Sequence, residues 1–365
     1  MRGLSWRNFD FLLLGAVVLA SAFGAMMIRS AVAGNDVLAP LPNRQIYFAL
    51  AGLVVIILLA SIDYRYWLSI HWPIYIVMIV LLLSLSGLGQ AAFGAQRWFQ
   101  VGVLFLQPTE FAKIVLILIL ARYFEKSQND PRDLKWLLKS LLWAWGLIIW
   151  ILLQPNLSNV VVSMVIWAAM IWMNGVDMKQ IALLALSVVL LGALAFPFLQ
   201  QYQRDRVLNF VRPDPNATHG ATYNVQQALI AIGSGGLFGK GYGHGTQTQL
   251  RFLKVRHTDF IFSATAEEFG LVGAILVILM EAFVVWRCFR AAQKARDISG
   301  AMIAFGVAML LFFQGSANIA VNLRLIPVSG LPLPFISYGG SGLMSLMVGI
   351  GLVESVAMRH KSMDF

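Results

Sequence analysis

The run FLLLGAVVLASAFGAMMI, residues 11–28, decides the fold class. It carries no charge and comes close to the roughly 20 apolar residues that cross a bilayer as a helix. Arg2 and Arg7 precede it and Arg29 follows it. Ala20-Ser21-Ala22 has the small residues of a signal-peptidase site, yet the apolar run continues past it to Ile28, so the expectation is an uncleaved first span. Nine further runs read the same way: Ile46–Ile62, Trp72–Leu88, Phe105–Phe124, Leu137–Leu153, Leu157–Met173, Ile181–Leu199, Phe260–Phe289, Met302–Leu323 and Phe335–Met358. Several are glycine-rich, which suits close helix packing in lipid. The fold expected is an all-α polytopic integral membrane protein of about ten transmembrane helices, a single membrane domain over residues 1–365.

Composition agrees. Hydrophobic residues make up 59% of the 365-residue chain and charged residues 12%, about half the usual soluble share. A soluble domain of this size could not cover so much apolar surface. The net charge of +10 does not point to nucleic acid, because the basic residues form no single stripe; they sit between the apolar runs. With the amino terminus cytoplasmic, the inner segments hold Arg65, Arg122, Lys126, Arg132, Lys135, Lys179, Arg287, Arg290, Lys294, Arg296, Arg359 and Lys361, and the short outer ones hold Arg29, Arg44, Arg97 and Arg324. That is the positive-inside pattern, with both termini cytoplasmic. The single cysteine, Cys288, excludes an internal disulfide.

One connection stands apart. Residues 200–259 form a polar stretch between the seventh and eighth spans, expected on the extracytoplasmic side. Tyr223–Ile232 reads as a short interfacial or re-entrant helix, followed by the glycine-rich Gly233–Gly243. So many glycines suit either a flexible linker or a backbone in close approach to a ligand, and the interleaved aromatics favour the second.

Charges inside spans need a reason, at roughly 2.5–3.5 kcal/mol each. Glu110 and Lys113, three residues apart, share a helix face. They read equally as a mutually neutralising pair or as the wall of a polar cavity, and Pro108 beside Gln107 marks an irregular helix start. The eighth span opens on His257-Thr258-Asp259-Phe260 and runs on to Glu267-Glu268. An aspartate at a helix start ordinarily caps it; at least one of Glu267 and Glu268 must face the bundle interior. The histidines have no metal-ligand spacing. Phosphate loop, dinucleotide fingerprint, nucleophile elbow and zinc-protease helix are all missing. Energy must come from a gradient or an activated substrate, which leaves a transporter and an enzyme on membrane-linked substrate level.

Four motifs in order break that tie: Gln107-Pro108-Thr109-Glu110-Phe111-Ala112-Lys113, Ile230–Gly236, Arg256-His257-Thr258-Asp259-Phe260-Ile261-Phe262 with Ala266-Glu267-Glu268, and the tail Ile326–Gly340. They resemble the signatures of the SEDS (shape, elongation, division and sporulation) family, over nearly the whole chain, and Gly245–Leu253 resembles the RodA branch more than the FtsW branch. The resemblance implies ten spans with a large outer loop after the seventh. It further implies a glycosyltransferase that polymerises lipid II into glycan strands outside the membrane of a bacterium, working with a class B penicillin-binding protein. In the family the essential aspartate of this motif corresponds to Asp259, Glu110 and Lys113 lie in the central cavity, and an outer-loop arginine corresponds to Arg97.

The chemistry fits one carboxylate. A diphosphate is already a good leaving group, so a general base on the acceptor hydroxyl suffices, and Asp259 is the candidate. Cations should face the departing diphosphate: Arg97, Lys113, Arg206 or a divalent Mg or Mn ion. His257, Glu267 and Glu268 complete the candidate cavity, and no nucleotide is needed. Departures from the family pattern are Gln154-Pro155-Asn156-Leu157-Ser158-Asn159, where the family usually reads Gln-Pro-Asp-Leu-Gly-Thr, Lys254-Val255 for Pro-Glu, and Arg324 for a small residue. The competing readings are a lipid II flippase, which would depend on midplane Lys113, and a weakly active scaffold for the penicillin-binding protein.

Overall fold

The computed structural model describes residues 6–359 apart from 89, 93, 94, 102, 103, 196, 198–200, 215, 216 and 218. After a short 3-10 turn at Trp6–Asn8 come α1 (Phe11–Ala31), α2 (Leu41–Ser61), α3 (Tyr64–Ser69) and α4 (His71–Leu88). Strands β1 (Gln90–Ala92), β2 (Ala95–Val101) and β3 (Leu104–Leu106) follow, then α5 (Pro108–Lys126), α6 (Leu134–Leu153), α7 (Leu157–Met173) and α8 (Met178–Ala195). The long connection holds α9 (Gln201–Val211), α10 (Gly220–Gly235) and α11 (Thr246–Gln249), and α12 (Ile261–Lys294), α13 (Ile298–Asn322) and α14 (Gly340–Ala357) complete the chain.

Each of the ten apolar runs carries a helix. Six of these, α1, α2, α6, α12, α13 and α14, are long and apolar enough among the described residues to cross a membrane. α5 carries Glu110, Lys113, Arg122, Glu125 and Lys126, and its apolar residues are nearly all buried, so it is an interior helix rather than a lipid-facing one. α13 packs against α5, α7, α12 and α14 and forms the middle of the bundle.

Three edges differ from the expectation. The run starting at Phe105 is not yet helix: Leu104–Leu106 pair antiparallel with Phe99–Val101 in a small three-stranded sheet. The helix begins at Pro108 because the residue before a proline is pushed out of the α region, and Gln107 is extended at φ −109°, ψ 102°. The run starting at Phe335 is loop up to Gly339, with Phe335 in the left-handed region at φ 58°. The third difference matters most. α12 is two helices joined at Gly270, whose φ of 67° and ψ of −163° are non-helical.

The glycine-rich stretch at the end of α10 and beyond it is no free linker; it fills this break. Leu271 and Val272 donate their N–H groups to the carbonyls of Gly236 and Leu237, and Lys240 and Gly241 donate theirs to Glu267 and Glu268. Backbone groups freed by the break are thus paired within the protein, as non-helical chain at membrane depth requires. A Cβ on Gly239 (φ 78°) would lie 2.2 Å from the Glu268 carbonyl oxygen, and one on Gly235 would lie 2.0 Å from that of Ala266. Only glycine lets the two backbones approach this closely.

Gly239→Ala should therefore destabilise the protein by at least about 1–3 kcal/mol from backbone strain, read as a lower melting temperature in detergent. Gly233→Ala, in the same glycine run but with nothing within 4 Å of its new methyl, should leave the melting temperature unchanged or raise it slightly.

Candidate active site

Asp259 stands half-buried in the turn before α12. It does not cap that helix. The N-cap is Phe260, with no side-chain cap bond, and the capping is supplied from α13: the Asn322 Oδ1 accepts from the Ser263 N–H at 3.1 Å and from its hydroxyl at 2.5 Å. The Asp259 carbonyl is held by two amides, Asn318 Nδ2 and Asn322 Nδ2, each at 2.9 Å. Its peptide is thus fixed by two amides of α13. Gly330 (φ 70°) lies against that carboxylate, a Cβ there falling 3.8 Å from Oδ2. Burial pushes the Asp259 carboxyl up to about 6, while the Arg206 guanidinium pulls it back down.

Arg206, on α9, donates to the Ser329 carbonyl at 3.5 Å, and the Ser158 hydroxyl donates to the same oxygen. Arg206 also lines a narrow groove with Asn209, Thr222 and Arg324. Arg324, the residue flagged as replacing a small one, sits just past α13 at φ 55°. That left-handed position usually goes to glycine or asparagine, and here it is held by an arginine that lines the same groove as Arg206. His257 is partly buried; its carbonyl accepts from the Tyr338 N–H at 2.9 Å. Burial, and then Arg256, push its imidazole down to about 4, so it is neutral at pH 7.

Glu110 and Lys113 form a closed cluster deeper in the bundle. Lys113 Nζ, wholly shielded from solvent, donates to Glu110 Oε2 at 2.8 Å, Gln314 Oε1 at 3.2 Å and Asn159 Oδ1 at 3.4 Å. Asn159 Nδ2 in turn donates to Glu110 Oε1 and Thr109 Oγ1, both at 3.2 Å. The pair is thus mutually neutralised and built into a three-helix polar core. Glu267 faces the connection instead of this cluster: its oxygens accept from Lys240 Nζ, Thr246 Oγ1, Gln247 N, Thr248 N and Thr248 Oγ1. Glu268 accepts from the Ser30 hydroxyl of α1. Both oxygens of Glu267 and Oε1 of Glu268 are engaged by the chain's own donors, which fasten the glycine-rich connection to the bundle, while Glu268 Oε2 is buried with no hydrogen-bond partner among the described residues. The backbone of Arg97 lies in β2, and its side chain lies outside the described residues.

Sequence reasoning missed Gln314, Asn318 and Asn322. All three are buried, and their four-residue spacing inside an apolar run was a readable sign of one polar helix face. It also passed over Glu281, a carboxylate in the middle of α12 that is buried with no partner for either oxygen among the described residues.

The family model for the FtsW, RodA and SpoVE cell cycle proteins matches residues 4–362. The chain belongs to this family. It is 34% identical over 361 residues to the peptidoglycan glycosyltransferase MrdB of Escherichia coli K12, covering 98% of this chain and 95% of that one. It is 33% identical over 366 residues to the probable peptidoglycan glycosyltransferase FtsW of Geobacter metallireducens, covering 97% and 96%. Among solved structures, a chain from a peptidoglycan synthase complex that coordinates polymerization and crosslinking superposes with a TM-score of 0.81 at 30% identity, over 96% of this chain and 98% of that one. The Thermus thermophilus rod shape determining protein RodA superposes at 0.73 and 29% identity, over 98% and 99%.

Lys113→Met should leave Glu110 buried without a counter-charge and destabilise the protein by about 3–5 kcal/mol. The double variant Glu110→Gln, Lys113→Met should recover much of that loss, both read as thermal melting of the solubilised protein.

Proposed function

We propose that this chain is a peptidoglycan glycosyltransferase that polymerises lipid II into glycan strands at the outer face of the bacterial cytoplasmic membrane, in the service of elongation and cell shape. The observation that carries the reading is Asp259, a carboxylate fixed through its own carbonyl, unused by the helix it precedes and set beside Arg206. The names of the relatives support the reaction class. Asp259 accepts the proton of the acceptor sugar's hydroxyl as that oxygen bonds to the donor's anomeric carbon; the bond from that carbon to the polyprenyl diphosphate breaks with inversion. A carboxyl near 6 is ionised at neutral pH and is a stronger base than an ordinary aspartate, which suits general-base work. Arg206, with Arg324 lining the same groove, would stabilise the charge that builds on the diphosphate.

Among the described residues no three His, Cys, Asp or Glu side chains converge to hold a metal, and Asp259 is a single carboxylate beside a cation. The donor set does not fit a resident metal centre. Magnesium or manganese would enter on the substrate's own diphosphate oxygens, the usual habit of Mg²⁺. No nucleotide takes part, since the donor arrives activated.

We read the ten helices of the ten apolar runs as ten spans, with the amino and carboxyl termini cytoplasmic and residues 200–259 extracytoplasmic; the distribution of lysine and arginine supports this. A class B penicillin-binding protein is the partner, a reading supported by likeness to a chain of a synthase complex that couples polymerization to crosslinking. The enclosure of Lys113 favours polymerase over flippase, because a transporter working through that ammonium would need it open to substrate.

Two results test this. Asp259→Asn should lower glycan-strand formation from lipid II by about 10²–10⁴-fold; wild-type polymerisation by that variant would sink the assignment. The base must be deprotonated, so activity should fall as pH drops through about 6. Arg206→Gln removes the downward pull on Asp259 and should move that acidic limb to higher pH, measured as the pH profile of polymer formed per minute.

A further inference from the structure

At the opposite end of the bundle the chain builds a second basic site. The segment before α1 and the last turns of α12 enclose an open groove of about 470 Å³, lined by Arg7, Asp10, Arg287, Arg290 and Lys294 among others. Its one carboxylate is already committed. Asp10 Oδ1 accepts from the Leu13 N–H and caps α1, and Oδ2 accepts from Arg287 Nε at 2.8 Å. Behind it the Asp10 N–H donates to Glu354. Arg7, Arg290 and Lys294 are exposed, and no salt bridge reaches any of them among the described residues. Three uncompensated cations thus share one concavity, on a scaffold fixed by the Arg287–Asp10 pair.

The rim of the groove is apolar. Phe11 and Leu12, which also line it, are exposed, as is Trp286 one turn before Arg290. The guanidinium of Arg290 lies 5.5 Å from the Trp286 ring. Exposed aromatic and aliphatic side chains at the ends of spanning helices mark the membrane boundary. A ligand here meets cations at its head and span surface at its tail.

We propose that this groove is a binding site for the headgroup of an anionic phospholipid, with Arg7, Arg290 and Lys294 on its phosphate oxygens and the acyl chains against Phe11 and Leu12. Basic pockets at helix ends on the cytoplasmic side of membrane proteins take such headgroups. A soluble anion would use the cations but gain nothing from the apolar rim, so the occupant is a lipid. The site is separate from Asp259 and does not depend on the reaction assigned there.

The test uses the full-length chain in detergent, titrated with phosphatidylglycerol, cardiolipin, phosphatidylcholine or inorganic phosphate, with bound molecules read by native mass spectrometry. Both anionic lipids should bind, and phosphatidylcholine and inorganic phosphate should bind at least tenfold more weakly. The double variant Arg290→Gln, Lys294→Gln should lose roughly thirtyfold in affinity for the anionic lipids, each surface cation being worth about fivefold. A control, Lys135→Gln with Lys139→Gln, removes two exposed cations of α6 and should keep wild-type affinity. Equal weakening in the control, binding of phosphatidylcholine at the same strength, or inorganic phosphate matching the lipids would each overturn the proposal. A melting curve for each variant, expected unchanged because the substituted side chains are exposed, separates lost binding from lost fold.

Discussion

Three amides on one face of α13 hold the site together. Gln314, Asn318 and Asn322 follow one another at four-residue steps and point inward, where an unpartnered amide would cost about 1–3 kcal/mol. The structure pairs all three, and each pairing fixes a different part of the machinery. Gln314 takes a hydrogen bond from Lys113 and gives one to the Pro332 carbonyl. Asn318 holds the carbonyls of Leu331 and Asp259. Asn322 holds Asp259 again and caps α12 through Ser263. The charged cluster, the loop before α14 and the candidate base are thereby referenced to one rigid helix.

The break in α12 follows from the same arrangement. The piece Ile261–Phe269 is secured at its start by Asn322 and at its end by the glycine-rich stretch that occupies the gap at Gly270. A continuous helix would carry Asp259 wherever the lower part of α12 happened to lean. A short helix fastened at both ends takes its position from α13 and α10 instead. Glu267 and Glu268 belong to this fastening. Glu267 gathers donors from residues 240–248, and Glu268 ties the assembly to α1 through Ser30. Their charge in an apolar run served the fold of the connection.

The sequence made the apolar runs plain because hydrophobicity is a property of each residue alone. It made Asp259 prominent through a motif and a family resemblance. What it hid were relations between distant segments. An aspartate ahead of a helix looks like its cap until an asparagine about sixty residues later is found doing that work. Glycines at 233–243 look like freedom until their partner backbone, at Gly270, is in place. The strands β1 to β3 were hidden for a related reason: Leu104–Leu106 is as apolar as the helix after it, and only the proline at 108 separates the two. Periodicity alone could have revealed the amide face of α13, since its spacing is entirely local.

The departures at residues 154–159 bear on whether the site is kept or decaying. Asn156, in place of the usual aspartate, stands at the N-cap of α7 with no side-chain cap bond, so the loss of its charge removes no capping interaction seen here. The two other changes add contacts. Ser158 replaces a glycine and gives its hydroxyl to the Ser329 carbonyl, the oxygen that Arg206 also reaches. Asn159 replaces a threonine, and its longer amide spans Lys113, Glu110 and Thr109 at once. A threonine hydroxyl has one proton to donate and could not serve both Glu110 and Thr109. A chain drifting toward a purely structural role has no need of new tethers beneath Gly330 and beside Lys113. The Ser158 bond holds the residue next to Gly330, whose backbone lies against the Asp259 carboxylate, and a candidate base needs such fixed neighbours if its oxygen is to meet one particular hydroxyl.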